Sequence, residues 1–232
     1  MNSLLVKYPF FLKWFYPKRL TRIKGTNSIY LTFDDGPVPE VTPWVLDLLK
    51  KYNAKATFFC IGDNVQKHPE IFRRIIAEGH AVGTHTFNHL NGWKTATSAY
   101  IENTLQAEEV IISEVNEQKR KRGNEQSEFQ IIDSKPRTPN FNLFRPPYGK
   151  IKNSQARKLS KAGYTIVMWD IISYDFNRNL PEEECLQNVL KNTREGSIVV
   201  FHDSIKAFKN LEKVLPQILK HFSSKGYNFR RL

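Results

Sequence analysis

Along this chain the apolar residues switch between a period of two and a period of about 3.6, with Gly and Pro marking the changes. Ile29-Tyr30-Leu31-Thr32-Phe33 is an apolar run that stops at Asp34-Asp35-Gly36-Pro37, which predicts a buried strand with two carboxylates at its C-terminal end. Adjacent strand residues point to opposite sides, so the two Asp are expected to have different environments and different roles. Thr42-Pro43 reads as a cap and first-turn proline for a helix carrying Val45, Leu48, Leu49 and Tyr52. A second strand is expected over 56–62, then a helix opening at Pro69 and closing at Gly79, then a short strand, Ala81-Val82-Gly83-Thr84, ending at His85. This β-α-β-α-β alternation predicts a parallel sheet covered by helices, either open or closed into a barrel.

A helix is expected from about Ser98, dissolving at 117–140 into a polar, highly charged stretch without period, read as an exposed insertion too short to bury a core. Order returns at Phe141 and leads into Arg145-Pro146-Pro147-Tyr148-Gly149. Beyond it the pattern predicts a helix over 154–162, a strand over 164–169, a loop from Asp170 to Asp175, and a helix opening at Pro181 and closing at Gly196. A buried strand over 197–201 then ends at His202-Asp203, and a helix over 216–224, started by Pro216, precedes a short strand over 227–230.

With 232 residues, 40% of them hydrophobic, the chain fits a single large α/β domain and excludes global disorder. The domain is expected over 28–232, behind an aromatic and basic arm over 1–27. The formal net charge of +12 favours anionic surroundings without choosing among lipid, cell-wall polymer and nucleic acid. No recognised nucleic-acid motif accompanies the charge, so no nucleic-acid partner is expected. Cys60 and Cys185 make neither a disulfide framework nor a CxxC pattern and read as core thiols. In residues 1–24, Lys7, Pro9, Lys13 and Pro17 break every apolar stretch, so neither a secretory leader nor a membrane span is predicted; a cytoplasmic or membrane-peripheral location is expected. Phe10, Phe11, Trp14, Phe15 and Tyr16 beside Lys18, Arg19, Arg22 and Lys24 fit either an arm packed on the domain or a peripheral membrane contact.

The polar residues at the predicted strand ends carry the chemistry. Asp34, Asp35, His85, Arg145, Asp175, His202 and Asp203 all fall at or just beyond C-terminal strand ends, where α/β sheets and barrels build their sites. His85 and His89, four apart on a helical turn, could both reach one cation, and a carboxylate from Asp34 or Asp35 would complete a facial Asp-His-His set. The other Asp would then be free to act as a base, and His202 is the candidate proton donor. Zinc is the first expectation for such a set, with cobalt, manganese, nickel and iron also accommodated.

TFDDGP at 32–37, HTFNH at 85–89, RPPYG at 145–149, WDIISYDF at 169–176 and VVFHD at 199–203 resemble the five ordered motifs of the NodB-type polysaccharide deacetylases, carbohydrate esterase family 4. The resemblance spans nearly all of 28–231 and implies a distorted (β/α) barrel of the NodB homology type. It implies metal-dependent hydrolysis of an N-acetyl group from amino-sugar units. By position it implies Asp34 as general base, Asp35, His85 and His89 as metal ligands, and His202 as general acid. Arg145 would hold the base, Asp175 would orient the acid, and the Tyr148 backbone N–H would meet the oxyanion. Pro147, Phe176 and Val200 would wall the acyl pocket; phenyl at 176 stands where an indole is commoner, and Ile172 replaces a residue that is often polar. The expected partner is an N-acetylated glycan of the peptidoglycan type. A lipid-linked amino sugar deacylated at the membrane face, and a non-catalytic carbohydrate-binding barrel, are the alternatives, and the oligomeric state is left open.

Overall fold

The computed structural model describes residues 5–121 and 142–232. Seven parallel strands form one curled sheet in the order β5-β4-β3-β2-β1-β7-β6, and β8 pairs with β1 near its start. The central strands are β1 (Ser28–Asp34), β2 (Thr57–Cys60), β3 (Ala81–Thr84) and β7 (Ile198–His202). The flanking strands β4 (Leu143–Phe144), β5 (Thr165–Ile166), β6 (Ile171–Ile172) and β8 (Asn228–Phe229) are two residues each.

Strand alternation decides what faces where. On β1, Ile29, Leu31 and Phe33 enter the large core beneath the helices, while Tyr30 joins Phe59, Val167 and Ile198 inside the curl. Thr32 and Asp34 share the inward side with Tyr30, so the same alternation that fills the core delivers Asp34 to the open end of the curl. The helices covering the outside include α2 (Thr42–Lys51), α4 (Pro69–Ala77), α7 (Glu182–Leu190) and α8 (Ile205–Ser224).

Among the described residues the sheet does not close strand to strand. Residues of the N-terminal arm lie across the seam between β5 and β6: Lys7 bridges Ile171, Leu20 bridges Val167, and Arg22 bridges Ser197. The arm is therefore part of the barrel, while its short helix α1 (Phe10–Phe15) stands clear, with no buried residue.

Several expected boundaries are corrected. A six-residue helix α3 (Gly62–Lys67) precedes α4; it buries only Gly62 and Val65 and carries no apolar stripe to announce it. Thr42 does not cap α2; its hydroxyl accepts from Val38 N–H at 2.8 Å and donates to Asp203 at 2.6 Å. Helix α5 (Thr97–Lys121) runs past Glu117, where Arg73 of α4 pairs with Glu114 and Glu117. The rest of the charged insertion, 122–140, lies outside the described residues.

The strand expected over 164–169 shrinks to β5, and the expected loop after it contains β6, which pairs with β7. Helix α6 (Asn153–Lys161) matches its pattern to within a residue, whereas α7 opens as expected but ends at Leu190, well short of Gly196, which lies in the turn before β7 at φ 73°. Pro216 does not start the last helix but sits inside α8. The stripe Ala207, Leu211, Val214, Leu215, Ile218 and Leu219 is buried on both sides of it, and that burial outweighs the one backbone hydrogen bond the proline forgoes.

Candidate active site

The strand register assembles the site. Asp34 of β1 is level with His202 of β7, and Thr84 of β3 is level with Phe144 of β4, which sets His85 beside Arg145. These residues line a cavity of about 810 Å³ with Asp35, His89, Tyr148, Trp169, Ile172, Tyr174, Phe176 and Val200. Phe176 and Val200 are on its wall as expected. Pro147 is not: it is buried at the start of a 3-10 turn over Pro147–Gly149, and Pro146 lines the cavity instead.

Arg145 is fully enclosed, 1% exposed. Its Nη1 donates to Asp34 Oδ1 and to Thr32 Oγ1, both at 2.7 Å, its Nη2 donates to Met168 O at 2.9 Å, and the guanidinium lies 4.1 Å from the Phe59 ring centroid. Burial pulls this guanidinium below its ordinary value, and the charge and hydrogen bond of Asp34 oppose that. A planar fork used on three acceptors at once fixes the Asp34 carboxylate, which a lysine in the same place could not do.

The metal-type cluster is Asp35, His85 and His89, whose ligand atoms all lie within 4.8 Å of one another. Asp35 Oδ1 is buried without a hydrogen-bond partner, and Nε2 of His89 and of His85 lie 3.3 and 3.8 Å from it. An orphaned carboxylate oxygen facing two imidazole nitrogens is a donor set that fits a divalent cation. The outer bonds suit it too. His85 Nδ1–H donates to Arg145 O at 2.8 Å, which directs Nε2 inward, and His89 Nδ1 is 3.1 Å from the Tyr148 hydroxyl. Burial holds His85 down to about 4, so its ring is neutral and able to ligate near neutral pH. Burial alone would raise the Asp35 carboxyl, but the facing His89 imidazole, with His202 and His85 close by, holds it below the usual carboxylate range.

His202 is bound twice by Asp175, a fully buried carboxylate. Its Nδ1–H donates to Oδ1 at 2.8 Å and its backbone N–H to Oδ2 at 2.7 Å, leaving Nε2 to carry a transferable proton. Burial disfavours the imidazolium, yet the charge and hydrogen bond of Asp175, with Asp35 and Asp34 behind them, raise it to about 9. His202 is therefore protonated near neutral pH, whereas His85 is not.

Backbone geometry at the cavity is strained. Asp35, His89, Tyr148 and Tyr174 hold φ values of 84°, 55°, 59° and 64°. Such conformations cost roughly 1–3 kcal/mol each and persist where neighbours enforce them. For Asp35 the neighbours are Asn64 Nδ2, which donates to its carbonyl at 2.7 Å, and the Gly36 turn, whose N–H donates to Asp203 Oδ1 at 3.0 Å. Burial, together with the Asp35 charge, pushes the Asp203 carboxyl up to about 8 against the opposing Thr42 and Gly36 hydrogen bonds. Sequence reasoning did not assign Asn64 or Asp203 a role. Asn64 rides on a helix without a periodic signal, whereas Asp203 followed a strand-end histidine and was visible as a candidate. Lys206, on the cavity wall with Nζ 5.6 Å from the Phe176 ring centroid, was also missed, since nothing local separates it from the other lysines of α8.

Comparison with known proteins gives a consistent result. The sequence profile of the family described as polysaccharide deacetylase matches residues 21–167. Two proteins of Bacillus cereus, each described as a peptidoglycan-N-acetylglucosamine deacetylase, are 34% and 33% identical to 87% of this chain. The matched regions cover 84% of the first and 66% of the second, so the second is substantially longer than the shared region. The crystal structure of a peptidoglycan N-acetylglucosamine deacetylase superposes with a TM-score of 0.78 at 29% identity, covering 97% of this chain and 95% of its own.

Proposed function

The chain belongs to the polysaccharide deacetylase family, and from that premise we propose that it is a metal-dependent amidohydrolase removing the N-acetyl group from N-acetylglucosamine units of a peptidoglycan-type glycan. The observation that carries the reading is the pair of separately held proton carriers beside the Asp35, His85 and His89 cluster: Asp34 on Arg145 and His202 on Asp175. A binding module has no use for both.

In this reading Asp35, His85 and His89 would hold a divalent cation, zinc being the first choice, and that cation would supply Lewis acidity for the attacking water and the amide carbonyl. Asp34, fixed by Arg145, accepts a proton from the attacking water. The Tyr148 backbone N–H donates to the developing oxyanion, a contribution of the kind worth about 10²–10³ in rate. His202 then gives its Nε2 proton to the departing sugar nitrogen, and Asp175 stabilises the imidazolium until that moment. Ile172, Phe176 and Val200 enclose the acyl methyl.

The test is acetate release from peptidoglycan and from N-acetylglucosamine oligomers by chelator-treated, zinc-reloaded and Asp34→Asn protein. Release that requires reloading and disappears in Asp34→Asn supports the proposal. Turnover that persists without metal, or in Asp34→Asn, sinks it. A lipid-linked amino sugar is the second substrate class worth including in that panel, because Tyr8, two residues before the exposed aromatic helix α1, packs edge-on to Trp169 of the cavity wall at 5.4 Å between ring centroids.

A further inference from the structure

Helix α1 is apolar where a soluble surface is ordinarily polar. Phe10, Phe11, Trp14 and Phe15 are 84%, 50%, 77% and 63% exposed. They pack on one another rather than on the core, Phe10 edge-on to Phe11 and Trp14 edge-on to Phe15. The helix itself is firmly mounted. On one side Tyr8 N–H donates to Asp170 O and Lys13 Nζ pairs with Asp170 at 3.0 Å; on the other Leu20 exchanges backbone hydrogen bonds with Ile166 and Met168. Four large apolar side chains exposed on one short helix form an apolar patch of the kind that marks a contact surface.

The surroundings of the patch say what it meets. Beside Phe15 runs a groove between α1 and α6 whose walls, among the described residues, carry Lys18, Arg19, Arg157 and Lys161 and no carboxylate. Aromatic side chains projecting beside a ring of cations, with no acid among them, complement an acyl-chain boundary overlaid by phosphate headgroups. Among the described residues no helix is long and apolar enough to cross a membrane, so contact through this patch would be in the plane of the interface.

We propose that α1 is an interfacial anchor: Phe10, Phe11, Trp14 and Phe15 enter the headgroup region of an anionic lipid surface, and Lys18, Arg19, Arg157 and Lys161 sit against its phosphates. The anchor is independent of the catalytic reading, since an Asp34→Asn enzyme would bind lipid equally well. It places Trp169, and through it the cavity wall, close to that surface.

The experiment is sedimentation of the full chain with vesicles of phosphatidylcholine, with and without phosphatidylglycerol, together with quenching of tryptophan fluorescence by lipids brominated along their chains. Wild-type protein is expected to sediment with the anionic vesicles, less so as salt rises, and to be quenched, with the quenching lost in Trp14→Phe. The Phe10→Ser, Trp14→Ser, Phe15→Ser triple variant is expected to weaken binding by about tenfold or more, and Lys18→Ala, Arg157→Ala, Lys161→Ala to remove the preference for anionic lipid. The proposal is overturned if wild-type protein ignores both vesicles, if binding survives the triple aromatic change, or if neutral vesicles bind equally well. It is equally overturned if, without vesicle binding, the same aromatics mediate self-association in light scattering or hold a single-stranded oligonucleotide.

Discussion

Asp34 and His202 stand level on adjacent parallel strands, yet each is held by a partner from elsewhere: Arg145 for the first at 2.7 Å and Asp175 for the second at 2.8 Å. One proton carrier is bonded to a cation and its neighbour to an anion. That arrangement holds the Asp34 carboxylate in one orientation and keeps His202 positive near neutral pH, the division of labour that acid and base catalysis require.

Replacing Asp34 separates catalysis from stability. Asp34→Asn retains an oxygen for Arg145 and is expected to lower kcat by about 10²–10⁴ while leaving bound metal unchanged, measured by acetate release beside metal analysis. Asp34→Ala leaves a guanidinium that is 1% exposed without its carboxylate. A loss of about 3–5 kcal/mol in denaturant unfolding is expected, and a loss no larger than that of Asp34→Asn would contradict the pairing.

The His202 imidazolium is raised to about 9 mainly against its burial by Asp175. Because the folded value lies above the unfolded value of about 6.5, the stability it contributes is fully present below about pH 6.5 and is lost as pH rises through 9. An NMR titration of metal-depleted protein should place this ring near 9, and in Asp175→Asn it should fall toward or below the unperturbed value. The alkaline limb of kcat should move down in the same variant.

Tyr148 joins the cluster by its side chain as well as its backbone, since its hydroxyl is 3.1 Å from His89 Nδ1. Tyr148→Phe keeps the ring and the backbone N–H but removes that contact. Metal affinity is expected to weaken by about 10–100-fold, read by competition with a chelating dye, while activity at saturating metal falls less.

A methyl group at Gly36 would overlap the Asp203 carboxylate. Gly36→Ala is expected to cost about 1–3 kcal/mol in thermal or denaturant unfolding and to weaken metal binding through the displaced Asp35. Shortening the obstacle should relieve it: in an Asp203→Ala background the same change should cost less, and strict additivity of the two would refute the clash.

Site residues were legible wherever a polar letter ended an apolar strand, because alternation and register then fix its position: Asp34, His85, Arg145 and His202 are of this kind. Elements built on tertiary contacts were not legible. Helix α3 buries too little to show a stripe, and β6 is two residues long and is held by β7 on one side and the arm on the other. Pro216 hid the first half of α8, since a local rule about proline was allowed to outrank a buried stripe that continues across it. The arm's packing on the domain was one of two readings of its sequence, and where it docks was not legible: single bridges to Ile171, Val167 and Ser197 leave no periodic trace.

That arm has a kinetic consequence. Lys13 meets Asp170 across 157 positions and Arg22 meets Glu195 across 173, so the segment that comes earliest in this sequence must wait for nearly the latest before it can dock. Contacts of such long range form late and reward chain closure last. The barrel is thus fastened like a hoop whose clasp closes at the end of folding, and the Tyr8, Leu20 and Ile23 amides should be among the last to gain protection in pulsed hydrogen exchange, well after those of β2 and β3, which pair across a short stretch of chain.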